Sequence, residues 1–177
     1  MSTIKWELDP AHSEIQFKVK HLMIANVTGH FKHFTVSAET DGEDFSKATN
    51  IVFTAEVHSI DTGNEQRDTH LKSSDFFNGD THSKIHFHSE KYEKKGDKEI
   101  LLGNLTIHGM TKPVAVDVEF GGIVKDPYGR TKAGFTISGK LSRKEFGITY
   151  NAATEAGGVV IGDEVKFNGE IQLIKQA

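Results

Sequence analysis

Hydrophobic and polar residues alternate with a period of two along most of the chain. This is the pattern of a β-strand with one buried and one solvated face. In one such run, Phe17 and Val19 alternate with Lys18 and Lys20. Eight long runs follow this pattern, within residues 15–21, 27–39, 51–58, 84–88, 101–109, 114–120, 133–141 and 165–173, after a short predicted strand at 4–8.

The segments between the runs carry residues typical of turns. Asp41-Gly42, Gly96-Asp97 and Asp126-Pro127 are examples. Short connections of this kind join antiparallel neighbours, and eight amphipathic antiparallel strands close into a barrel without exposed edges. The sequence therefore predicts an all-β fold, an eight-stranded antiparallel β-barrel, with residues 1–177 forming a single domain.

Three segments depart from regular alternation. Phe34 and Val36 fall on the opposite parity to Val27, so one additional residue near Lys32 or His33, as in a β-bulge, is predicted. A short helix between strands is predicted over 65–73, with Asn64 as its N-cap. The small, glycine-rich stretch 151–162 is predicted to be a loop.

The predicted inner face combines large aromatic residues with small ones. Phe17, Phe135 and Phe167 share it with Gly139 and Gly169. Glycines in strands allow either tight coiling around a packed core or the close approach of a ligand. The second interpretation gives an uncharged cavity, about 25–30 Å long, that suits an alkyl or isoprenoid chain. Burying about fifteen methylenes supplies ~12 kcal/mol before the cost of association, which is compatible with micromolar binding.

Composition excludes several other classes of protein. The net charge is −4 and no basic stripe is present, which argues against nucleic acid as a partner. The absence of cysteine excludes disulfides and thiolate chemistry. No stretch reaches the ~20 apolar residues of a membrane helix, so no membrane insertion is predicted. Without a visible leader peptide a cytoplasmic location is expected, or a periplasmic one if a leader has been removed.

The chain contains no recognisable catalytic or cofactor motif. Ten histidines are present, but His86 and His88 fall on the solvated face, and no metal site is predicted. There is no nucleophile elbow, P-loop or dinucleotide fingerprint. We therefore predict no catalytic residues, no metal and no cofactor.

The segment Arg67-Asp68-Thr69-His70 concentrates titratable groups. Three interpretations are open. In the first, Arg67 and Asp68 form an ion pair that attaches the helix to the barrel rim. In the second, the segment binds a ligand head group, and in the third it supplies a general acid–base pair. For the second, the candidate contacts are Arg67, Asp68 and His70.

Several longer motifs resemble the YceI-like family of lipocalin-like, polyisoprenoid-binding proteins. They are Asp9-Pro10-Ala11-His12-Ser13 and the stretches 29–34, 60–77, 103–114 and 142–147. The chain departs from the family pattern at His82-Ser83-Lys84 and at Met110, both near predicted strand ends. The resemblance implies a lipocalin-like barrel whose pore holds a long isoprenoid or fatty amphiphile, and it implies a homodimer in many members. It transfers no catalytic residues.

We therefore predict a carrier, store or sequestering protein for a long-chain isoprenoid or similar amphiphilic lipid, and not an enzyme. The alternatives are an enzyme acting on an amphiphile at the barrel mouth, and a packed, ligand-free scaffold that binds a protein on its outer face. The predicted pore lining is Phe17, Val19, His21, Phe31, Phe34, Phe53, Ala55, Phe87, Leu105, Ile107, Val116, Val118, Phe135, Ile137, Gly139, Phe167 and Gly169.

Overall fold

The computed structural model describes residues 3–151 and 160–177, which contain eleven strands, one α-helix and three short 3₁₀ turns. The strands are β1 (Thr3–Leu8), β2 (Glu14–His21), β3 (Ala25–Phe31), β4 (Phe34–Asp41), β5 (Asp44–Glu56), β6 (Ile60–Asp61), β7 (Lys84–Lys95), β8 (Lys98–Ile107), β9 (Met110–Lys125), β10 (Thr131–Ser142) and β11 (Ile161–Lys175). The helix α1 is Glu65–Lys72, and the 3₁₀ turns are Pro10–His12, Val57–Ser59 and Arg143–Phe146.

Eight of these strands close into an antiparallel barrel. Their order is β1-β4-β5-β7-β8-β9-β10-β11, and the circle is completed by pairing between β1 and β11. The eight-stranded antiparallel β-barrel predicted from alternation is therefore confirmed. Closure pairs both edges of the sheet, as expected for amphipathic strands with short connections.

Two positions in the barrel wall are each occupied by two consecutive strands, β1 with β2 and β3 with β4; the first pair was predicted as two strands and the second as one. The partners of β11 change along its length, from β2 over Ile161–Glu170 to β1 over Leu173–Lys175. In the neighbouring strand, β3 and β4 are separated at Lys32 and His33, where the sequence predicts an additional residue. The discontinuity is a two-residue bend, and it separates the pairing of β3 with β2 from the pairing of β4 with β1.

At one end of the barrel the wall between β3 and β7 is built from non-strand structure. Apart from β2, the described strand that pairs with β3 is the two-residue β6, and the segment 57–83 contains β6 and leads to β7. The helix α1 lies in this segment and begins, as predicted, at the N-cap Asn64, whose side chain accepts a hydrogen bond from the Arg67 amide. None of its residues is fully buried.

The opposite end of the barrel, here called the closed end, is filled by a separate hydrophobic cluster. Trp6 is fully buried and its ring centroid lies 4.7 Å from that of Phe45, which in turn lies 5.0 Å from Phe135. The Trp6 indole donates to the Thr40 hydroxyl at 2.8 Å. The other members of the cluster are Ala38, Ala48, Ala133, Ile171 and Leu173.

A buried ion pair supports the closed end. The Lys132 ammonium lies 2.5 Å from a carboxylate oxygen of Asp9, and Asp126 lies 3.8 Å away on the other side. Burial raises the pKa of the Asp9 carboxyl, but hydrogen bonds from Lys132 and His12 outweigh that effect and hold the pKa below its usual value. The pair joins the turn after β1 to β10.

Most of the predicted loop 151–162 lies outside the described residues, and β11 begins at Ile161 within its last part. Among the described residues, no helix is both long enough and apolar enough to cross a bilayer.

Candidate functional site

A continuous cavity of about 500 Å³ occupies the barrel interior. This volume is within the range of about 300–1,000 Å³ that is typical of small-molecule sites. Its wall follows β11 from Ile161 to Leu173, which corresponds to a length on the order of 30 Å along the barrel axis. That length is large for a volume of about 500 Å³. The space is therefore long and narrow.

The cavity wall includes most of the side chains that alternation assigns to the inner face. They are Phe17, Val19, His21, Phe31, Phe53, Phe87, Leu105, Ile107, Val116, Val118, Phe135, Ile137 and Phe167. Several of the phenylalanines are only half-buried although they point inward, because part of their surface faces the cavity. Contact between these side chains and a ligand stays a prediction.

Two other predicted lining residues do not line the cavity. Ala55 is fully buried, and its methyl group does not reach the cavity. Phe34 directly follows the break at Lys32 and His33, and its ring packs against Phe53 at a centroid distance of 5.9 Å. A strand position that alternation assigns to the inner face therefore does not always place its side chain at the cavity surface.

The two predicted lining glycines, Gly139 and Gly169, are also absent from the cavity wall, because other groups cover them. A Cβ atom added to Gly139 would lie 2.4 Å from Cζ of Phe167, its partner on β11. At Gly169 the same atom would lie 2.9 Å from the carbonyl oxygen of Glu14. Our interpretation that these glycines leave space for a ligand is therefore wrong.

The glycine–phenylalanine contact recurs around the barrel. Phe17 covers Gly29 and Phe87 covers Gly103, at 2.3 and 2.4 Å from the added Cβ. Gly29, Phe17, Phe167 and Gly139 form one cross-strand row over β3, β2, β11 and β10. Each glycine leaves room for the end of a phenylalanine ring beside its own backbone, and all three rings line the cavity.

The cavity opens at the end opposite the closed end, here called the mouth. Five of its lining residues are exposed to solvent, namely Lys20, His21, Arg67, His70 and Tyr150. Contacts between elements bring them together: the rings of His70 and Tyr150 lie 5.1 Å apart, and Lys20 packs beside Gly162 at the start of β11. Our expectation of an uncharged lining is therefore wrong at this end.

Arg143 places a buried guanidinium in the cavity wall near the mouth. It follows β10, is only 4% exposed, and donates to the carbonyl oxygens of Gly162, Ile148 and Tyr150 at 2.8–2.9 Å and to that of Ile161 at 3.2 Å. Burial lowers the pKa of Arg143, and the nearby Asp163 carboxylate opposes that shift. Arg143 therefore fixes the backbone of the mouth and contributes positive charge there.

The structure corrects the interpretation of Arg67 and Asp68 as an ion pair. Asp68 accepts hydrogen bonds from the amide and the hydroxyl of Thr62, at 2.9 and 2.6 Å, and does not line the cavity. Arg67 donates to the hydroxyl and the carbonyl oxygen of the same Thr62, both at 2.7 Å, and does line the cavity. Both side chains hold the helix start to β6 through Thr62 and not through each other.

His70 lies one helical turn after Arg67 and faces the same cavity. Its Nε2 atom is 2.8 Å from a carboxylate oxygen of Asp75. Its ring packs edge-on against Phe76 and Tyr150 at centroid distances of 5.0 and 5.1 Å. The imidazole is therefore held in place by a hydrogen bond and two aromatic contacts.

Sequence reasoning missed much of the lining at the mouth. Phe76, Phe77, Phe146, Ile148 and Tyr150 line the cavity, yet they come from segments without strand periodicity. Only the density of aromatic and aliphatic residues in those segments could have suggested burial. Most of the strand residues missed from the predicted lining are apolar, whereas Gln16 and Lys20 line the cavity from the parity assigned to solvent. The apolar ones include Ile15, Val36, Ile51, Ile85, Tyr92, Leu101, Val114, Leu141, Val165, Ile171 and Leu173.

Among the described residues, no group of histidine, aspartate and glutamate side chains is arranged to hold a metal ion. His86 and His88 are exposed on the outer face of β7, as alternation predicts, and His86 contacts the hydroxyl of Thr54 at 3.1 Å.

Comparison with protein families gives a match to the YceI-like domain over residues 6–173. Two curated relatives are UPF0312 proteins of Staphylococcus epidermidis and Staphylococcus aureus. The first is 42% identical over 171 residues, covering 95% of this chain and 96% of the relative. The second is 42% identical over 167 residues, with coverages of 93% and 94%.

Three solved structures have similar folds. The YceI protein of Campylobacter jejuni is 33% identical, with a TM-score of 0.75 and coverages of 96% of this chain and 97% of that one. BcnA of Burkholderia cenocepacia has a TM-score of 0.79 at 22% identity, with coverages of 93% and 98%. A polyisoprenoid binding domain from Saccharophagus degradans has a TM-score of 0.66 at 13% identity, with coverages of 97% and 98%. The last two comparisons show similarity of fold alone.

Proposed function

Because this chain belongs to the YceI-like family, we propose that it binds one long-chain isoprenoid or similar amphiphilic lipid lengthwise inside its barrel, as a carrier, store or sequestering protein. The observation that supports this proposal is the continuous cavity of about 500 Å³, whose wall is almost entirely apolar. The polyisoprenoid binding domain of Saccharophagus degradans, which shares the fold, is consistent with a ligand of this class.

The shape of the cavity favours a single extended chain. Its length on the order of 30 Å and its narrow section favour an extended chain over a compact polycyclic ligand of the same volume. About fifteen buried methylenes contribute ~12 kcal/mol, and after the cost of association this leaves micromolar or tighter binding. Affinity would therefore come from the tail, with little dependence on particular polar contacts.

The polar groups at the mouth orient the ligand. Arg67, His70 and Arg143 line this end of the cavity, and none of the described lining residues is aspartate or glutamate. Guanidinium groups only donate hydrogen bonds, so this end suits a head group that accepts them. We therefore place the head group beside Arg67 and His70, and the end of the tail against Phe45 at the closed end.

We propose binding without catalysis. The polar side chains near the mouth already have structural partners, since Asp68 holds Thr62 and His70 contacts Asp75. An enzyme would use the His70–Asp75 pair as an oriented base. Turnover of a prenyl ester that His70→Ala abolishes, without loss of folding, is the result that would favour the enzyme.

Two substitutions on β10 test the cavity. Ile137 lines it, whereas the adjacent Ser138 is exposed on the outer face. Ile137→Phe adds volume within the narrow section, so we expect the affinity for a fluorescent farnesol derivative to fall by about tenfold or more. Ser138→Phe adds a similar bulk outside and should leave the affinity unchanged.

The measurements are a fluorescence titration with that probe and native mass spectrometry of the purified protein. We expect a saturable site with one probe per chain. Absence of probe uptake and of co-purified lipid in the wild-type protein would overturn the proposal. Equal effects of the two substitutions would show that the probe binds outside the barrel.

A further inference from the structure

The turn between β2 and β3 exposes three consecutive large apolar side chains. Leu22, Met23 and Ile24 are 41%, 57% and 81% exposed. Isolated exposed hydrophobic residues are common on protein surfaces, but a contiguous group at a hairpin tip marks an interaction site. These side chains contribute little to the core, so packing within the barrel does not account for them.

The backbone of the turn is also unsuited to these residues. Leu22 and Met23 have φ values of 54° and 60°, and the Ile24 amide donates to the His21 carbonyl oxygen at 3.2 Å. Positive φ at both central residues is the signature of a type I′ turn, which favours asparagine and glycine and disfavours bulky residues. Local folding therefore selects against this pair, and packing among the described residues does not account for their presence.

The hairpin tip adjoins the mouth of the cavity. The Leu22 amide donates to the carbonyl oxygen of Val160 at 2.7 Å, and both Val160 and His21 line the cavity. A long-chain lipid is almost insoluble in water, so the ligand proposed above would enter from a bilayer. The apolar tip thus lies where such an entry would occur.

The charge of the hairpin differs from that of the whole chain. The chain carries a net charge of −4, whereas the hairpin of β2 and β3 carries Lys18 and Lys20 toward its tip and one carboxylate, Glu14, at the far end of β2. An apolar tip with lysines behind it is the arrangement that peripheral proteins use at anionic membrane surfaces.

We propose that Leu22, Met23 and Ile24 insert into the surface of an anionic lipid bilayer and set the mouth of the barrel against it for ligand transfer. This inference rests on the proposed lipid-binding function. A second copy of the chain is a poorer fit, because stable protein interfaces bury about 800 Å² on each side with about 20–30 residues. Three side chains are too few for that, but they suffice for shallow insertion into a bilayer.

The test uses a double substitution that suits the turn. Leu22→Asn with Met23→Gly supplies the sequence that a type I′ turn prefers, so the variant should fold at least as stably as the wild type. We expect its flotation with phosphatidylcholine vesicles containing about one quarter phosphatidylglycerol to fall about tenfold. Transfer of the fluorescent farnesol derivative from the same vesicles should slow by a similar factor.

Two further variants separate the contribution of the lysines from the effect of removing any exposed apolar side chain. Lys18→Gln with Lys20→Gln should weaken binding to anionic vesicles and leave binding to pure phosphatidylcholine unchanged. Val124→Thr removes a 65% exposed apolar side chain at the closed end and serves as the matched control, with no effect on either measurement.

Unchanged flotation or unchanged transfer in the tip variant overturns the inference. A tip variant that instead converts a dimer into a monomer in sedimentation, with flotation unaltered, assigns the surface to a second copy and also overturns it. Loading of the probe from an ethanol stock separates the two proposals. If the wild type fails to load in that assay, the lipid-binding function fails, whereas flotation of probe-free protein still reports on the tip.

Discussion

The two ends of the barrel are built by different means. At the closed end, strands pair on both sides and the interior is filled by Trp6, Phe45 and their neighbours. At the mouth, part of the wall is the polar helix α1, which has no fully buried residue, and the β2–β3 turn exposes apolar side chains on a strained backbone. The difference indicates that stability is concentrated at one end and access to the cavity at the other.

The largest expected effect is at the closed end. Trp6→Ala removes a fully buried indole and its contact with Phe45, so the free energy of unfolding should fall by about 3–5 kcal/mol. Ile24→Ala at the mouth removes an 81% exposed side chain and should change it by less than about 0.5 kcal/mol. Urea denaturation measures both. Comparable losses in the two variants would contradict the contrast between the ends.

The next largest loss of stability is expected from breaking the buried ion pair between Asp9 and Lys132. Asp9→Asn leaves the buried Lys132 ammonium beside a neutral amide, with the Gln172 side-chain oxygen at 3.3 Å and the Asp126 carboxylate at 3.8 Å, so stability near pH 7 should fall by about 2–3 kcal/mol. Asp97→Asn, in the exposed β7–β8 turn, is the matched control and should have almost no effect.

The same variant has a predicted pH dependence. The pKa of Asp9 is lower in the folded than in the unfolded state, because the hydrogen bonds from Lys132 and His12 outweigh burial. Its stabilising contribution is therefore complete above the unfolded pKa of about 4 and is lost as the pH falls through the folded pKa. The stability difference between wild type and Asp9→Asn should shrink between about pH 5 and about pH 2. A difference that stays constant would show that Asp9 acts by packing alone.

A smaller effect is expected at the glycine–phenylalanine contacts, which lie in the barrel wall between the closed end and the mouth. In Gly139→Ala the new methyl group meets the Phe167 ring and pushes it toward the cavity, so stability should fall by about 1–2 kcal/mol and probe affinity should drop with it. Gly134→Ala on the same strand has no atom within 4 Å of the new methyl group. If the two variants bind the probe equally, the position of the Phe167 ring does not determine the width of the cavity.

The smallest effect is expected at the mouth. Asn64→Ala removes the N-cap of α1, which should cost about 1 kcal/mol or less in global unfolding and should accelerate probe release. Stopped-flow transfer to acceptor vesicles measures the release rate. Asn26→Ala, on the exposed part of β3, is the control and should leave the release rate unchanged. An unchanged rate in Asn64→Ala would show that α1 does not limit exit.

Sequence patterns predicted the strands more accurately than the site. Local periodicity and capping identified the strands of the barrel and the helix after Asn64. Alternation also located the irregularity near Lys32, but the predicted β-bulge is a two-residue bend between two strands. Alternation gives the face of a side chain but not what covers it, which is why Gly139 was assigned to the lining although Phe167 lies over it.

The mouth was the hardest part to predict for a related reason. Arg143, Phe76 and Tyr150 come from segments outside the strands and the α-helix, and only contacts between distant elements bring them to the cavity. Arg143, for example, binds four carbonyl oxygens that no sequence pattern indicates. Tertiary geometry of this kind is not encoded in local spacing.

The breaks at residues 9–13 and at Lys32–His33 have a consequence for how the barrel opens. Because they divide adjacent strands at similar heights, separation of β3 from β6 need not propagate into the pairing of β4 with β1. Amide protons in β2 and β3 should therefore exchange with solvent through local fluctuations, while those of β1 and β4 exchange only on global unfolding. The mouth of the barrel can therefore open locally while the closed end stays folded.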